Sequence, residues 1–283
     1  MARGFRGQSL SAKRISDSLR THPDFAKRID EHQWGSQAKP VEPGAEIQDP
    51  YSLRCAPQIL GAFQEAHWHV AEVVARELNA STDNPLIFPD TEMVIHGGNF
   101  YGQQIAMVSD YLRIGLIKVA LLAERQIERL VNWRYSRCLP PMLAGGAPGL
   151  NSGFAGAQLL ATSLAAELRL LGTAASIQTI STNANNQDVV SMGCIAAKMT
   201  RTALPLAWKI ISIETLALVQ AADLRGKNVM GDDYKKLYDI VRGVSPKLEN
   251  DRPLVDDIQR VTALLQSEDA QKIFDLDKNY EAD

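Results

Sequence analysis

Apolar side chains recur at intervals of three, four or five residues through the long stretch from Ile105 to Leu130. The repeating positions are Ile105, Val108, Leu112, Leu116, Val119, Leu122, Ile127 and Leu130. This spacing places the side chains on one face of an α-helix, and it predicts a long helix. The segment Leu139-Pro140-Pro141 ends the pattern, because proline lacks the amide proton that a helix interior needs.

Other parts of the chain also have helical spacing. The further predicted helices cover 57–78, 155–171, about 189–224, 232–242 and 254–275, with one more in SLSAKRISDSLRTH. Residues 79–85 (NASTDNP) stop the first of these, and Pro205 predicts a kink in the third. We find no alternating strand pattern longer than about four residues and no repeat of roughly 20–50 residues. The sequence therefore predicts an all-α bundle of long helices, whose Ala-rich faces are completed by oligomerisation.

The 283 residues suit two domains or one large domain. Residues 1–46 are polar and end in a predicted loop, QAKPVEPGAE, and the character of the chain changes at Ile47. We predict a polar N-terminal segment with a short helix over 1–46. A central helical bundle with the functional loops then covers 47–230, and short C-terminal helices cover 231–283.

Charge and cysteine content exclude several classes of protein. The formal net charge of −3 provides no basic surface for nucleic acid. Cys55, Cys138 and Cys194 are few and widely spaced, which argues against a disulfide framework and against a zinc site. A reducing cytoplasm is the compartment expected for such a chain.

The sequence also predicts neither a signal peptide nor a membrane span. The N-terminal MARGFRGQSLSAKR lacks an apolar core. The stretch ALPLAWKIISIETLALVQAA is long enough to cross a bilayer, but Lys209 and Glu214 within it favour a buried helix. No metal site is predicted, because His67 and His69 are two residues apart and face different sides of a helix.

The first candidate loop is QDPYSLRC, residues 48–55. Tyr51 and Arg54 are three residues apart and project together if the segment is helical. A guanidinium can hold a carboxylate through two parallel hydrogen bonds, and the phenol beside it can donate a hydrogen bond or exchange a proton. The alternative is a plain helix N-terminus with Asp49 as its cap and Arg54 in a surface ion pair.

The second candidate loop, HGGNFYGQ at 96–103, precedes the longest predicted helix. Its glycines let the backbone approach a ligand closely. The alternative is a helix-capping loop with Asn99 or Gly98 as the N-cap.

The third candidate loop, NANNQD at 183–188, is dense in side-chain amides at the predicted start of another helix. If these groups are buried, they need a ligand or a polar network to satisfy them. If they are exposed, they form an ordinary polar loop.

Taken together, these loops resemble the aromatic amino acid ammonia-lyase and aminomutase family. The matching segments are QDPYSLRCAPQ, ELNASTDNPLIF, GGNFYGQQIAMVSDYL, LAERQIERL, LPPML, GLNSGFAGAQ and STNANNQDVVSMG. They follow the order and spacing of that family, and the resemblance covers roughly residues 15–225.

The resemblance implies a chemistry. The family forms an electrophilic methylidene-imidazolone (MIO) from an Ala-Ser-Gly tripeptide, and this group takes the substrate amine. A tyrosine base removes a β-proton, and ammonia leaves to give an α,β-unsaturated acid. In the aminomutases the amine is added back at the β-carbon.

The resemblance also assigns roles to individual residues. Tyr51 resembles the tyrosine that lies against the prosthetic group, and Arg54 resembles the arginine that binds the substrate carboxylate. Phe100 resembles a phenylalanine packed near the electrophile, and Gln48 is a further candidate for contact with the amine or the backbone. Gln187 stands where histidine lyases carry a glutamate, with Asn183 a turn earlier on the same side of the site, a pattern that resembles tyrosine lyases and aminomutases.

One feature departs from the family, because this sequence contains no Ala-Ser-Gly tripeptide. The chain resembles only the C-terminal half of the family, which indicates one subunit of a split enzyme, a fragment or a relic. The intact motifs favour one subunit of a split enzyme. A partner with the N-terminal half would carry the MIO and the base tyrosine, within a hetero-oligomer built on the family's tetrameric core. The alternatives are a non-catalytic stabilising or regulatory subunit and, for the substrate, histidine in place of a tyrosine- or phenylalanine-like amino acid.

Overall fold

The computed structural model describes residues 3–22, 48–136, 139–147, 149–226 and 230–273. The predicted loop over 37–46, the domain boundary at 46/47 and Cys138 lie outside the described residues. The helices are α1 (Arg6–Arg20), α2 (Tyr51–Arg54), α3 (Ala56–Leu78), α4 (Gln103–Val131), α5 (Ala155–Leu170), α6 (Gly193–Arg225), α7 (Asp232–Val244), α8 (Val255–Leu265) and α9 (Glu268–Ile273). Two strands, β1 (Leu86–Phe88) and β2 (Met93–Ile95), pair antiparallel. The described part of the chain is otherwise helical and irregular, which confirms the all-α prediction.

Helices α3 to α6 form an up-and-down bundle. The antiparallel contact of α3 with α4 includes the rings of His69 and Tyr111, whose centroids are 6.4 Å apart. Helix α5 returns along α4, and the C-terminal end of α5 meets Arg113, whose Nε donates to the Leu171 carbonyl at 2.7 Å. Helix α6 then runs parallel to α4, so that the N-terminal ends of α4 and α6 lie at the same end of the bundle.

The core lies between α4, α5 and α6. Its fully buried side chains include Ile127, Leu168, Ile210 and Ile213. Helix α6 is long and apolar enough to cross a membrane, but half of its most apolar window is buried. This burial agrees with the prediction that the apolar stretch is a core helix.

Helix α1 packs on α3 through two glycines. A Cβ atom added at Gly7 would lie 2.3 Å from the carbonyl oxygen of Gly61, so neither position has room for a side chain. At the other end of the chain, α8 packs on α6, where the hydroxyls of Ser212 and Thr262 are 2.7 Å apart.

Several helix ends differ from the sequence prediction. Helix α4 ends at Val131, before the prolines, because Asn132 is extended and its side chain bonds Glu128 and the Arg134 N–H. The predicted helix over 254–275 is two helices, since the Ser267 hydroxyl donates to the Leu264 carbonyl and ends the first. The β1–β2 hairpin was not predicted, because its strands are only three residues long.

Candidate functional site

Tyr51 and Arg54 lie on α2, a single turn of helix. The Cζ atom of Arg54 is 4.5 Å from the centroid of the Tyr51 ring, so the two side chains project together as predicted. The Nε2 of Gln126 on α4 donates to the Ser52 carbonyl at 2.7 Å and fixes the turn to the bundle. The N-cap is Pro50, without a side-chain cap, so the alternative with Asp49 as the cap is wrong.

The side chains of this turn are open to a ligand. Tyr51 is 67% exposed, and Arg54 and Gln48 are also exposed. Arg54 has no carboxylate partner among the described residues, so its guanidinium is available to bind the carboxylate of a ligand. We call Gln48, Tyr51 and Arg54 the arginine end.

Phe100 lies in the glycine-containing loop before α4. The side-chain amide of Asn99 donates to the Ser81 carbonyl at 2.5 Å, and the Gly97 N–H donates to Asn84 Oδ1 at 2.9 Å. These bonds tie the loop to the segment that follows α3 and leave Phe100 53% exposed. Gly102 is the N-cap of α4, so the alternative with Asn99 or Gly98 as the cap is wrong.

Asn183 and Gln187 lie in a closed loop before α6. Thr182 and Gln187 exchange two backbone hydrogen bonds, and the Thr182 hydroxyl donates to Gln187 Oε1 at 2.9 Å. Asn183, Ala184 and Asn185 all have positive φ, a conformation that asparagine tolerates better than most residues.

This amide loop is not part of the next helix. Helix α6 begins only at Gly193, after the left-handed Met192, so the predicted start near Val189 is wrong. Val190 stays outside the helix, because its N–H donates to the Thr179 hydroxyl at 2.7 Å. Gln187 therefore does not cap α6. Because Asn183 and Gln187 are exposed, the amides of the loop are not forced into a buried network.

The loops before α4 and α6 meet at one end of the bundle. A Cβ atom added at Gly193 would lie 3.4 Å from the Gly102 carbonyl, and the Thr200 hydroxyl donates to the Ser109 carbonyl at 2.8 Å. Phe100, Asn183 and Gln187 therefore lie on one side of the molecule, which we call the amide end.

The arginine end and the amide end are far apart within one chain. Gln126 contacts α2, and Gln103 begins α4 beside the amide end. Because an α-helix rises about 1.5 Å per residue, these two residues are roughly 35 Å apart along α4. The structure thus brings the predicted residues together in two groups and not in one site.

A buried ion pair supports the amide end from inside the bundle, and the sequence prediction missed it. Arg113 is completely buried, and its Nη2 lies 2.5 Å from Asp110 Oδ1. The same guanidinium donates to the carbonyls of Leu171 and Thr173, at 2.7 Å and 2.8 Å, where the loop leaves α5. Two opposite charges three residues apart inside an apolar helix were the signal available in the sequence.

Asp110 also holds the loop directly. Its Oδ2 accepts a hydrogen bond from the Ser176 N–H at 2.8 Å. Burial raises the pKa of Asp110, but hydrogen bonds from Ser176, Ala175 and Arg113 outweigh burial and hold the pKa below its usual value. The carboxylate is therefore charged at neutral pH and works as a fixed acceptor.

No group of three or more His, Cys, Asp or Glu side chains that could hold a metal ion occurs within the described residues. The chemistry that the exposed groups offer is hydrogen bonding and charge. Arg54 can bind a carboxylate, Tyr51 and Gln187 can donate or accept, and Phe100 can pack against a planar group.

Comparisons with known proteins agree with these motifs. The model of the aromatic amino acid lyase family matches residues 1–243. A tyrosine ammonia-lyase of Cereibacter sphaeroides is 48% identical over 261 residues, which cover 89% of this chain and 48% of that enzyme. A histidine ammonia-lyase of Natranaerobius thermophilus is 41% identical over 250 residues, which cover 87% of this chain and 49% of that enzyme.

A similar structure is also known. The tyrosine aminomutase of Streptomyces globisporus is 38% identical and superposes with a TM-score of 0.84, over 97% of this chain and 52% of that one. The chain thus spans about half the length of the relatives that it matches.

Proposed function

Because the chain belongs to the aromatic amino acid lyase family, we propose that it is one half of an MIO-dependent ammonia-lyase or 2,3-aminomutase. Its substrate is an aromatic L-amino acid, similar to tyrosine. The observation that carries this proposal is the pair of exposed groups at opposite ends of α4, since each resembles part of one family site. The chain contributes both groups, and each active site takes them from different copies.

Association of two copies of the chain can bring the two groups together. A second copy whose α4 runs antiparallel to the first would place the arginine end of one copy beside the amide end of the other. Exposed apolar side chains along α4 support such packing, since a monomer rarely leaves a continuous apolar stripe open to water. These side chains are Met107, Tyr111 and Ile114.

The prosthetic group comes from a second polypeptide in this proposal. This chain has no Ala-Ser-Gly tripeptide to form it. The exposed rings of Tyr51 and Phe100 fit a group that arrives from outside, because a planar electrophile can be covered by them on assembly. When bound, the group supplies an electrophile for the substrate amine, which side chains lack.

The residues of this chain hold the substrate in place. The Arg54 guanidinium binds the substrate carboxylate in a bidentate manner, and the Tyr51 phenol beside it orients the amine. Gln48 and Asn183 supply further polar contacts. The reaction then removes a β-proton to a base on the partner and breaks the C–N bond, which gives ammonia and an α,β-unsaturated acid.

Gln187 supports an aromatic substrate over histidine. A glutamate at this position would attract an imidazolium, whereas a neutral amide suits a phenol or phenyl ring. Relatives named as histidine ammonia-lyases are nonetheless similar to this chain, so histidine is the competing substrate.

Co-expression with a polypeptide that carries the N-terminal half and its Ala-Ser-Gly tests the proposal. We expect a stable hetero-oligomer that converts tyrosine or phenylalanine to a product with cinnamate-type absorbance, and chiral analysis for a β-amino acid separates lyase from aminomutase. Absence of turnover of any aromatic amino acid, with the MIO absorbance present, would contradict the substrate assignment. A partner that already contains its own Tyr-Ser-Leu-Arg and Asn-Gln-Asp loops would instead indicate a non-catalytic subunit.

A further inference from the structure

A cavity of about 610 Å³ lies behind the arginine end, between α2, the C-terminal part of α4 and the second half of α6. Its apolar wall includes Leu53, Leu130 and Leu218, and Glu214 lies among them. Leu53 is part of the same turn as Tyr51 and Arg54. A group that fills the cavity therefore contacts the turn that, in the proposed function, binds the substrate.

The charged residues of this cavity differ in their partners. Arg225 donates to the Ser136 carbonyl at 3.1 Å, and the Arg129 guanidinium lies 5.4 Å from the centroid of the Tyr135 ring. Asp49 has an interaction of its own within the chain. Glu214 has neither a hydrogen bond nor an ion pair with any of the described residues, although it is largely buried.

Burial without a partner is unfavourable for a charged carboxylate. It raises the pKa of Glu214 from 4.5 to about 7, and burial is the cause of this shift. A cation placed against the carboxylate would lower its pKa, favour the charged form and offset part of this cost. The cavity thus has a carboxyl group that is prepared for a cation, and an apolar wall that suits an aliphatic chain.

The missing part of the fold suggests where that cation comes from. The chain covers only 48% of the tyrosine ammonia-lyase of Cereibacter sphaeroides, so about half of such a fold lies outside these residues, and the function proposed above assigns that half to a second polypeptide. Lysine and arginine side chains combine an aliphatic stem with a charged head, and both parts match this cavity.

We propose that the Glu214 cavity receives a lysine or arginine side chain from the polypeptide that supplies the other half of the lyase fold. This inference rests on the two-chain function proposed above. The incoming side chain packs its stem on Leu53 and Leu218 and places its charge on Glu214. Glu214 is then a positioning residue, since it holds the turn with Tyr51 and Arg54 through the partner and does not touch the substrate.

Small cations that copy these side chains test the cavity in the full chain alone. We would add n-butylammonium or n-butylguanidinium and follow the methyl signals of Leu53, Leu130 and Leu218 by NMR. The expected result is a saturable shift of these signals with wild type. In Glu214→Gln the affinity for the cation should be roughly tenfold lower. Glu167→Gln, an exposed glutamate on α5, is the matched control and should bind like the wild type. Equal binding by Glu214→Gln, or no saturable shift with either cation, would overturn the inference.

A second measurement uses the assembled complex and separates this inference from the proposed function. Glu214→Gln should weaken assembly and lower kcat/KM, with unchanged helix content and an altered pH dependence of assembly. An active complex in which Glu214→Gln changes none of these would refute the inference and leave the function intact. Binding of the cations at Glu214, together with no lyase activity in any two-chain complex, would refute the function while supporting the cation specificity of the cavity.

Discussion

Arg113 and Asp110 form an ion pair inside the bundle, with Nη2 and Oδ1 2.5 Å apart and both side chains almost completely inaccessible to water. The pair, which lies on α4, links that helix to α5, α6 and the loop between them. Arg113 donates to the Leu171 carbonyl at the end of α5 and to the Ala196 carbonyl of α6, and Asp110 accepts a hydrogen bond from the Ser176 N–H in the loop. Because the amide loop with Asn183 and Gln187 begins a few residues later, this pair connects the packing of the core to the geometry of the candidate site.

Arg113→Met should strongly destabilise the chain, because it leaves the Asp110 carboxylate buried without a counter-ion. We expect a loss of about 3–5 kcal/mol in the free energy of unfolding, measured by urea denaturation. Burial raises the pKa of Asp110, but hydrogen bonds from Ser176, Ala175 and Arg113 outweigh burial and lower it in the folded state. The charged carboxylate therefore stabilises the fold above the ordinary pKa of aspartate, and this contribution is lost as the pH falls through the folded pKa. Arg76→Met, which breaks an exposed pair with Glu72, should change stability by less than about 1 kcal/mol. Equal effects of the two substitutions would contradict the assigned role.

Glu214→Gln should change how the stability of the isolated chain depends on pH. The folded pKa of about 7 is above the ordinary value of 4.5, so the folded state binds more protons between these values. The free energy of unfolding of the wild type should therefore decrease as the pH rises through this window, by at most about 3 kcal/mol. The glutamine variant should not show this decrease, and it should be the more stable protein at about pH 8. Parallel curves for wild type and variant would show that Glu214 is not held in an unfavourable environment.

Arg54→Lys should damage catalysis without changing the fold. One ammonium cannot reproduce the two parallel hydrogen bonds of a guanidinium to a carboxylate, so we expect kcat/KM to fall roughly ten- to hundredfold. Helix content, measured by circular dichroism, should not change. Arg134→Lys is the matched control, because Arg134 also lies over an aromatic ring, that of Trp133, but outside the arginine end. Native kinetics in the Arg54 variant would remove this residue from the site.

Gln187→Glu should lower activity on the aromatic substrate and make it more dependent on pH. A glutamate can still accept the hydrogen bond of the Thr182 hydroxyl, so the loop should keep its shape while the site gains an ionisable group. Asn185→Asp adds the same charge to the same loop, where Asn185 accepts from the Ser181 hydroxyl, and serves as the control. The check is a pair of pH–rate profiles, and superimposable profiles for wild type and Gln187→Glu would place Gln187 outside the site.

Much of the helical framework follows from the sequence. The apolar spacing from Ile105 to Leu130 predicts the body of α4 and its start to within two residues, because the buried stripe of a core helix repeats with the period of the helix. Helix ends that depend on a side-chain bond were predicted less well, since Asn132 and Ser267 end helices through local hydrogen bonds that no periodicity records.

The candidate site was also predicted only in part. The contact of Tyr51 with Arg54 follows from a spacing of three residues in a helical turn. The distance between these residues and Gln187 depends on which helices run parallel, and a list of motifs does not contain that information. The role of Asp110 and Arg113 was missed for a related reason, because their partners are backbone groups far away in the sequence.

Mixing two inactive variants tests the central claim, that each site takes Arg54 and Gln187 from different copies of this chain. Arg54→Ala and Gln187→Ala would be expressed separately, mixed in equal amounts and assembled with the partner polypeptide. If assembly is random and the site is shared between copies, about a quarter of the wild-type activity should return, because one in four sites receives both native residues. A mixture of Arg54→Ala with the double variant should remain inactive. Activity of the first mixture no higher than that of either variant alone would contradict the account.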